Sequence, residues 1–287
     1  MINNFIEMGI NPNMIDIVCW KINNVIPEEW AKLAANYPAR FFFYDDTRES
    51  RHYISSIRPN ILKQHFEAND LNGEAILYHD CDIAFTKKID WEQFLQDDKW
   101  YGSDCRWYIA HSYILGKGQD VIDKMCEIVD IPESLVKDNE LNSIGAQYLM
   151  KGIDAQFWAD VERDCERLFH EVTHLNNEKK QLDPTHHELQ IWCADMWAVL
   201  WNGWKRGAET ICHPELEFSW GTSTEADWDR LNIFHNAGVV TSAGGLFYKA
   251  EYMNELPYSA TLNINEGTAS KKYWDIIQKT AKKSVLL

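Results

Sequence analysis

The chain reads as an α/β protein: a mostly parallel sheet with flanking helices, followed by a more helical second half. Strand-length apolar runs alternate with helix-like segments through residue 110, the order that builds a doubly wound sheet. Beyond that point helical spacing dominates, over 140–150, 156–172 and 188–205.

Met14-Ile-Asp-Ile-Val-Cys-Trp20 is a buried-strand run that ends in a turn through Asn23 and Asn24. Pro27 with Glu28 and Glu29 opens a helix to Ala35, because proline fits the first turn and acids favour the positive end of the dipole. Arg40-Phe-Phe-Phe-Tyr44 is a second strand, closed by Asp45 and Asp46. Arg58 to Asn69 reads as a helix with Ile61, Leu62, His65 and Phe66 on one face. Gly73 breaks the chain before a third strand, 74–85. After helix-like 91–97, Trp100 to Ile109 is a fourth strand candidate. No GxGxxG follows the first strand, which argues against an oxidoreductase dinucleotide fold. In the second half a polar Asn/Lys-rich loop is expected at 175–187. The chain turns irregular and Gly-rich after His213, and a surface helix over 271–283 closes it. No linker or repeat divides the sequence, so 1–110 and 111–287 are expected to be halves of one domain.

Lys and Arg number 28 against 44 Asp and Glu, and the resulting charge of −16 argues against bulk contact with nucleic acid or anionic lipid. No window approaches the ~18 apolar residues of a membrane span, and the first residues lack the charged and apolar regions of a signal peptide. Cysteines at 19, 81, 105, 126, 165, 193 and 212 are scattered, odd in number and form no CxxC, as expected of reduced thiols in a cytoplasmic protein. Thirteen tryptophans suit stacking on sugars or bases, and equally suit core packing.

The segment Glu74-Ala-Ile-Leu-Tyr-His-Asp-Cys-Asp-Ile-Ala-Phe85 carries the most chemical information. An apolar strand runs into Asp80 and Asp82, which alternation places on one side of the strand end. Two such carboxylates repel unless a cation or hydrogen-bond donors lie between them. A hard divalent ion that also holds a diphosphate answers this; an Asp-rich turn closing an edge strand is the plainer alternative.

This order of strand, helix, acid-terminated strand, Arg-containing helix and Ile-Leu-Tyr-His-Asp-Cys-Asp resembles the GT-A glycosyltransferases. The resemblance covers residues 14–110, with weaker echoes at 143–150 and 233–238. It implies a GT-A-like fold whose half 1–110 binds a nucleotide-sugar, commonly a UDP-sugar, and whose helical half 111–287 takes the acceptor. It implies that Asp82, with Asp80 directly or through water or ribose, holds Mn²⁺ or Mg²⁺ on the donor diphosphate. His235 in Phe234-His-Asn-Ala-Gly238 falls where many such enzymes place a third ligand, and imidazole suits Mn²⁺. Arg58 and Lys63, on the helix before the Asp pair, are implied to neutralise phosphate or leaving-group charge. Asp45 or Asp46 would contact base or ribose. Without the resemblance, Arg58 and Lys63 are ordinary solvated helix residues and His235 a buried hydrogen-bonding residue.

On a continuous helix over 188–205, Glu188, Trp192, Asp195 and Val199 share a stripe. An acceptor sugar would stack on Trp192 while Glu188 or Asp195 positions or deprotonates its hydroxyl. Glu188 also suits a first helical turn for its charge alone. Gln147 in Ser143-Ile-Gly-Ala-Gln-Tyr148 is a further acceptor-side candidate, where Gly145 equally suggests close packing. The acceptor class stays open among glycan, protein and modified nucleic acid, as does the stereochemical outcome.

His170-Glu-Val-Thr-His174 is a literal HExxH, the zinc-peptidase pattern. A peptidase needs a long active-site helix and a third ligand on another, and the expected loop after 174 opposes it. A non-catalytic sugar-binding protein of the same fold is the other alternative.

Overall fold

Three short sheets organise the chain. The computed structural model describes residues 1–71, 73–253 and 255–284. Its strands are β1 (Asp16–Trp20), β2 (Arg40–Tyr44), β3 (Ile76–Tyr78), β4 (Ile83–Phe85), β5 (Trp100–Asp104), β6 (Ile144–Met150), β7 (Thr210–Cys212), β8 (Phe218–Trp220) and β9 (Ile233–His235). β1 and β2 pair in parallel, and the helix Glu28–Asn36 connects them. The second sheet has the order β3-β6-β5-β7 and the third β4-β9-β8.

The α/β class holds, but the sheet is not mostly parallel. Among the described pairings β1–β2, β5–β7 and β8–β9 are parallel, while β3–β6, β5–β6 and β4–β9 are antiparallel. The main departure is β6, where a helix over 140–150 was expected. A strand paired on both sides and buried on both faces loses its alternation and cannot be told from a helix by periodicity. Ile144, Tyr148, Leu149 and Met150 are all buried there. Gly145 is a packing glycine: a Cβ would stand 2.4 Å from Met196 Cε and 2.8 Å from Cys105 Sγ. Because β6 lies between β3 and β5, the two halves of the sequence share one sheet.

Other boundaries move for local reasons. The apolar run 74–85 is two strands broken by a turn that carries both aspartates. β5 stops at Asp104, whose side chain accepts from the Arg106 N–H at 3.1 Å and starts the short helix Arg106–Ile109. The helix Ala155–Leu182 continues through the Asn/Lys-rich stretch expected to be a loop, its polar residues forming a largely solvated face before Asp183-Pro184. The helix expected from 188 begins only at Ala194, after a 3₁₀ turn over Ile191–Cys193. It is apolar nearly all round, burying Trp197, Trp201 and Trp204 in the main core with Trp158 and Tyr148. The last helix, Ala269–Ser284, is no mere surface element: Tyr273 and Trp274 pack with Trp228, Phe234 and Phe247 in a second core cluster.

Candidate metal centre and aromatic cavity

β4 fixes the position of the aspartate turn. Ile83, Ala84 and Phe85 are fully buried, and the Asn4 side chain pairs with Phe85 like a further strand, accepting from its N–H at 2.8 Å and donating to its carbonyl at 3.0 Å. Across β4 lies β9, in a register that sets Ile83 opposite His235. The Asn236 N–H donates to the Asp82 carbonyl at 3.0 Å, just beyond the last strand pair. This long-range pairing delivers His235 to the aspartates: its Nε2 is 3.3 Å from Asp80 Oδ2 and 3.3 Å from Asp82 Oδ1. One donor atom from each of the three lies within 4.8 Å of the others. Among the described residues no other group of three His, Cys, Asp or Glu meets that condition.

The charges are tightly coupled. Burial alone would lower the His235 pKa, but hydrogen bonds to Asp80 and Asp82 and their charges raise it to about 9. Burial opposes ionisation of Asp80, yet the His235 hydrogen bond and the Arg58 charge hold it well below the usual carboxylate range. Asp82 is lowered against the same burial cost by His235 and Lys249. Arg58 Nη1 is 2.7 Å from Asp80 Oδ1 and 3.3 Å from Asp195 Oδ2, so one guanidinium nitrogen joins the two acids. The Lys249 ammonium sits on Asp82 Oδ2.

Beside this centre is a cavity of about 230 Å³ bounded by Arg58, Asp80, Asp195, His235 and Lys249 and by aromatic walls, among them Tyr108, Tyr148, Trp192 and Trp220. It is smaller than the roughly 300–1,000 Å³ typical of drug-sized ligand sites. Trp192 is 59% exposed, so its indole lies where the cavity meets solvent.

Asp195 lies in the first turn of the helix Ala194–Lys205 and is buried. The Tyr53 hydroxyl is 2.7 Å from Asp195 Oδ1 and 2.6 Å from the Trp192 carbonyl. One hydroxyl hydrogen cannot serve both acceptors at full strength. The hydroxyl hydrogen is therefore shared between the Asp195 carboxylate, which also faces Arg58, and the Trp192 carbonyl. Burial raises the Asp195 pKa, against Arg58 and the Tyr53 hydrogen bond, which lower it. Tyr53 is itself held by buried Glu166 on the long helix, which accepts from the N–H groups of His52 at 3.0 Å and Tyr53 at 3.2 Å.

Arg58, Asp80, Asp82, Trp192, Asp195 and His235 are therefore brought together. Glu188 is not: it precedes the helix, and its carboxylate pairs with Lys180. Lys63 is 3.3 Å from Glu162 on the long helix. Asp46 is held by Arg48 at 2.9 Å and Arg51 at 3.1 Å, and Asp45 by Lys21 at 2.8 Å; neither borders the cavity. Gln147 turns to the back of His235, with Nε2 3.2 Å from its Nδ1. Lys249 and Tyr53 had no signal of their own in the sequence, whereas Tyr78 and Tyr148, which border the cavity, stood within the aspartate segment and the Gln147 segment.

His170 and His174 are exposed on the long helix. The helix that a zinc peptidase requires is therefore present, contrary to expectation, but the ligands are not assembled. His170 packs against His52 with ring centroids 4.5 Å apart and planes tilted by 30°, and His174 Nε2 is 3.2 Å from Glu178.

Comparison of the chain with models of known families, with curated proteins and with solved structures returns no match. Among the described residues no helix is long and apolar enough to cross a membrane.

Proposed function

We propose that the centre binds a divalent cation and serves group transfer in the adjoining cavity. The particular activity we propose is that of a GT-A-type glycosyltransferase, moving a sugar from a nucleoside-diphosphate sugar, with UDP the expected nucleotide, to an acceptor hydroxyl. The observation that carries this reading is the convergence of Asp80, Asp82 and His235, two of which, Asp80 and His235, line an aromatic cavity that also holds Arg58 and Asp195.

The donor set fits Mn²⁺ or Mg²⁺: two carboxylates and one imidazole leave coordination positions for phosphate oxygens and water. A cation already rests on Asp82 in the form of the Lys249 ammonium. When bound, the metal supplies positive charge against the diphosphate as it leaves. Arg58 and Lys249 add fixed positive charge at the same wall. The aromatic side chains exclude water and offer faces to a sugar ring. Asp195 orients the acceptor hydroxyl. In an inverting reaction the acceptor oxygen bonds to the anomeric carbon as the carbon–phosphate oxygen bond breaks. The bonding pair then leaves on the diphosphate and the acceptor proton passes to Asp195.

The test is release of nucleoside diphosphate from a panel of nucleotide-sugars with Mn²⁺. Metal-dependent release abolished in Asp82→Asn is expected. Binding of a nucleotide-sugar without any release would leave a non-catalytic sugar-binding protein. Zinc-dependent peptide cleavage lost in His170→Ala, with Asp82→Asn harmless, would replace the transferase reading altogether.

A further inference from the structure

The back of the His235 ring is held by a buried relay whose hydrogen bonds run in only one consistent direction. Ser103 Oγ lies 2.5 Å from Gln147 Oε1 and 2.6 Å from the Leu216 carbonyl oxygen, and Gln147 Nε2 lies 3.2 Å from His235 Nδ1. Ser103 and Gln147 are both completely buried, so water cannot make up a missing partner. With the amide turned this way, a hydroxyl with one hydrogen faces two acceptors at short range. The Leu216 carbonyl is an acceptor in every state. The amide atom beside Ser103 must then be the donor. Amide oxygen and nitrogen are nearly isosteric, and the surrounding hydrogen bonds decide between them. Rotating the Gln147 amide by half a turn satisfies every group: Gln147 Nε2 donates to Ser103, Ser103 donates to Leu216, and Gln147 Oε1 faces the ring. His235 Nδ1 must then carry a proton.

The backbone is shaped for this contact. Pairing of β5 with β6 jumps from Gly102↔Tyr148 to Ser103↔Gly145, so Ala146 and Gln147 form a bulge. Ala146 has φ +59°, a left-handed conformation disfavoured for a residue with a Cβ. Gly102 admits the bulge, since a Cβ there would stand 2.8 Å from the Gln147 carbonyl oxygen. Bulges of this kind re-aim side chains near functional sites.

We infer that Gln147 and Ser103 are positioning residues that keep His235 protonated on Nδ1, so that Nε2 is the atom presented to a metal held with Asp80 and Asp82. The role assigned to Nε2 rests on the metal reading above; the direction of the relay does not. Outer partners that fix a ligand's tautomer typically contribute about 10- to 100-fold in metal affinity.

The experiment is Mn²⁺ calorimetry on wild type, Ser103→Ala and Gln147→Leu, with melting curves to confirm folding. It is joined to two-bond ¹H–¹⁵N spectra of the wild-type imidazoles, the His235 signals being identified by their loss in His235→Gln. Affinity about 10- to 100-fold weaker in both folded variants is expected. With Zn²⁺ as a diamagnetic probe, a proton on Nδ1 and metal on Nε2 are expected. Wild-type affinity in both variants, or a proton on Nε2, overturns the inference. If wild type binds no metal, the metal reading fails on its own. The metal-free spectrum at alkaline pH, where the ring is neutral, then decides the relay, Nδ1–H supporting it and Nε2–H ending it. If either variant does not fold, the wild-type spectra decide in the same way.

Discussion

Lys249 places its ammonium on Asp82 Oδ2 while His235 Nε2 stands 3.3 Å from the other oxygen of that carboxylate. Asp82 thus already holds two cationic partners, one buried and one half-exposed. A half-exposed ion pair is screened by solvent and is worth at most about 1 kcal/mol. A divalent ion can displace it at small cost. Lys249→Gln removes this internal competitor, so Mn²⁺ affinity in the absence of nucleotide should rise, by up to about fivefold. Calorimetry checks this, and unchanged or weaker binding would show that Lys249 does not guard the carboxylate.

The pH dependence has a definite sign. The His235 pKa is raised from 6.5 to about 9 in the folded chain, so its stabilisation is complete below 6.5 and lost as pH rises through about 9. Asp80 and Asp82 are lowered from 3.8, so their contribution is complete above that value and lost as pH falls through their folded values. Metal-free melting temperature should therefore carry a contribution from this cluster that declines between pH 6.5 and about 9. Mn²⁺ binding runs the other way. The metal must displace the Nε2 proton, so affinity should climb by up to about tenfold per pH unit and level off once the ring is neutral. A metal affinity flat with pH would separate His235 from the ligand set.

Asp195 and Glu188 make a matched pair of opposite expectation. Asp195→Asn keeps the shape beside Tyr53 and Arg58 but cannot take up a proton; turnover should fall roughly 10²- to 10⁴-fold with little change in melting temperature. Glu188→Ala only breaks an exposed pair with Lys180 and should leave turnover within experimental scatter. Equal effects of the two substitutions on turnover would remove Asp195 from the chemistry.

The legible part of the site was the part written in one continuous segment. Asp80 and Asp82 stand out because a buried strand has no packing use for two acids, and the GT-A-like order pointed to Arg58 and His235. Glu188 was misplaced because stripe spacing extends a helix through a segment that makes a 3₁₀ turn instead. Gln147 was given the wrong neighbour because β6, covered on both faces, carries no alternation. Lys249, from the 3₁₀ turn Lys249–Tyr252, and Ser103, through the β5–β6 bulge, meet the site from segments far apart in the chain and leave no mark in local spacing.

The most direct measurement is the melting temperature with a panel of nucleoside diphosphates, with and without Mn²⁺, on wild type and Asp82→Asn. A ligand at a hundredfold its Kd adds about 2.7 kcal/mol, a shift of several degrees for a chain of this size. A donor-diphosphate site built on Asp82 predicts such a shift for one nucleotide, dependent on both Mn²⁺ and Asp82. A shift that persists in Asp82→Asn, or no shift with any nucleotide, would contradict it.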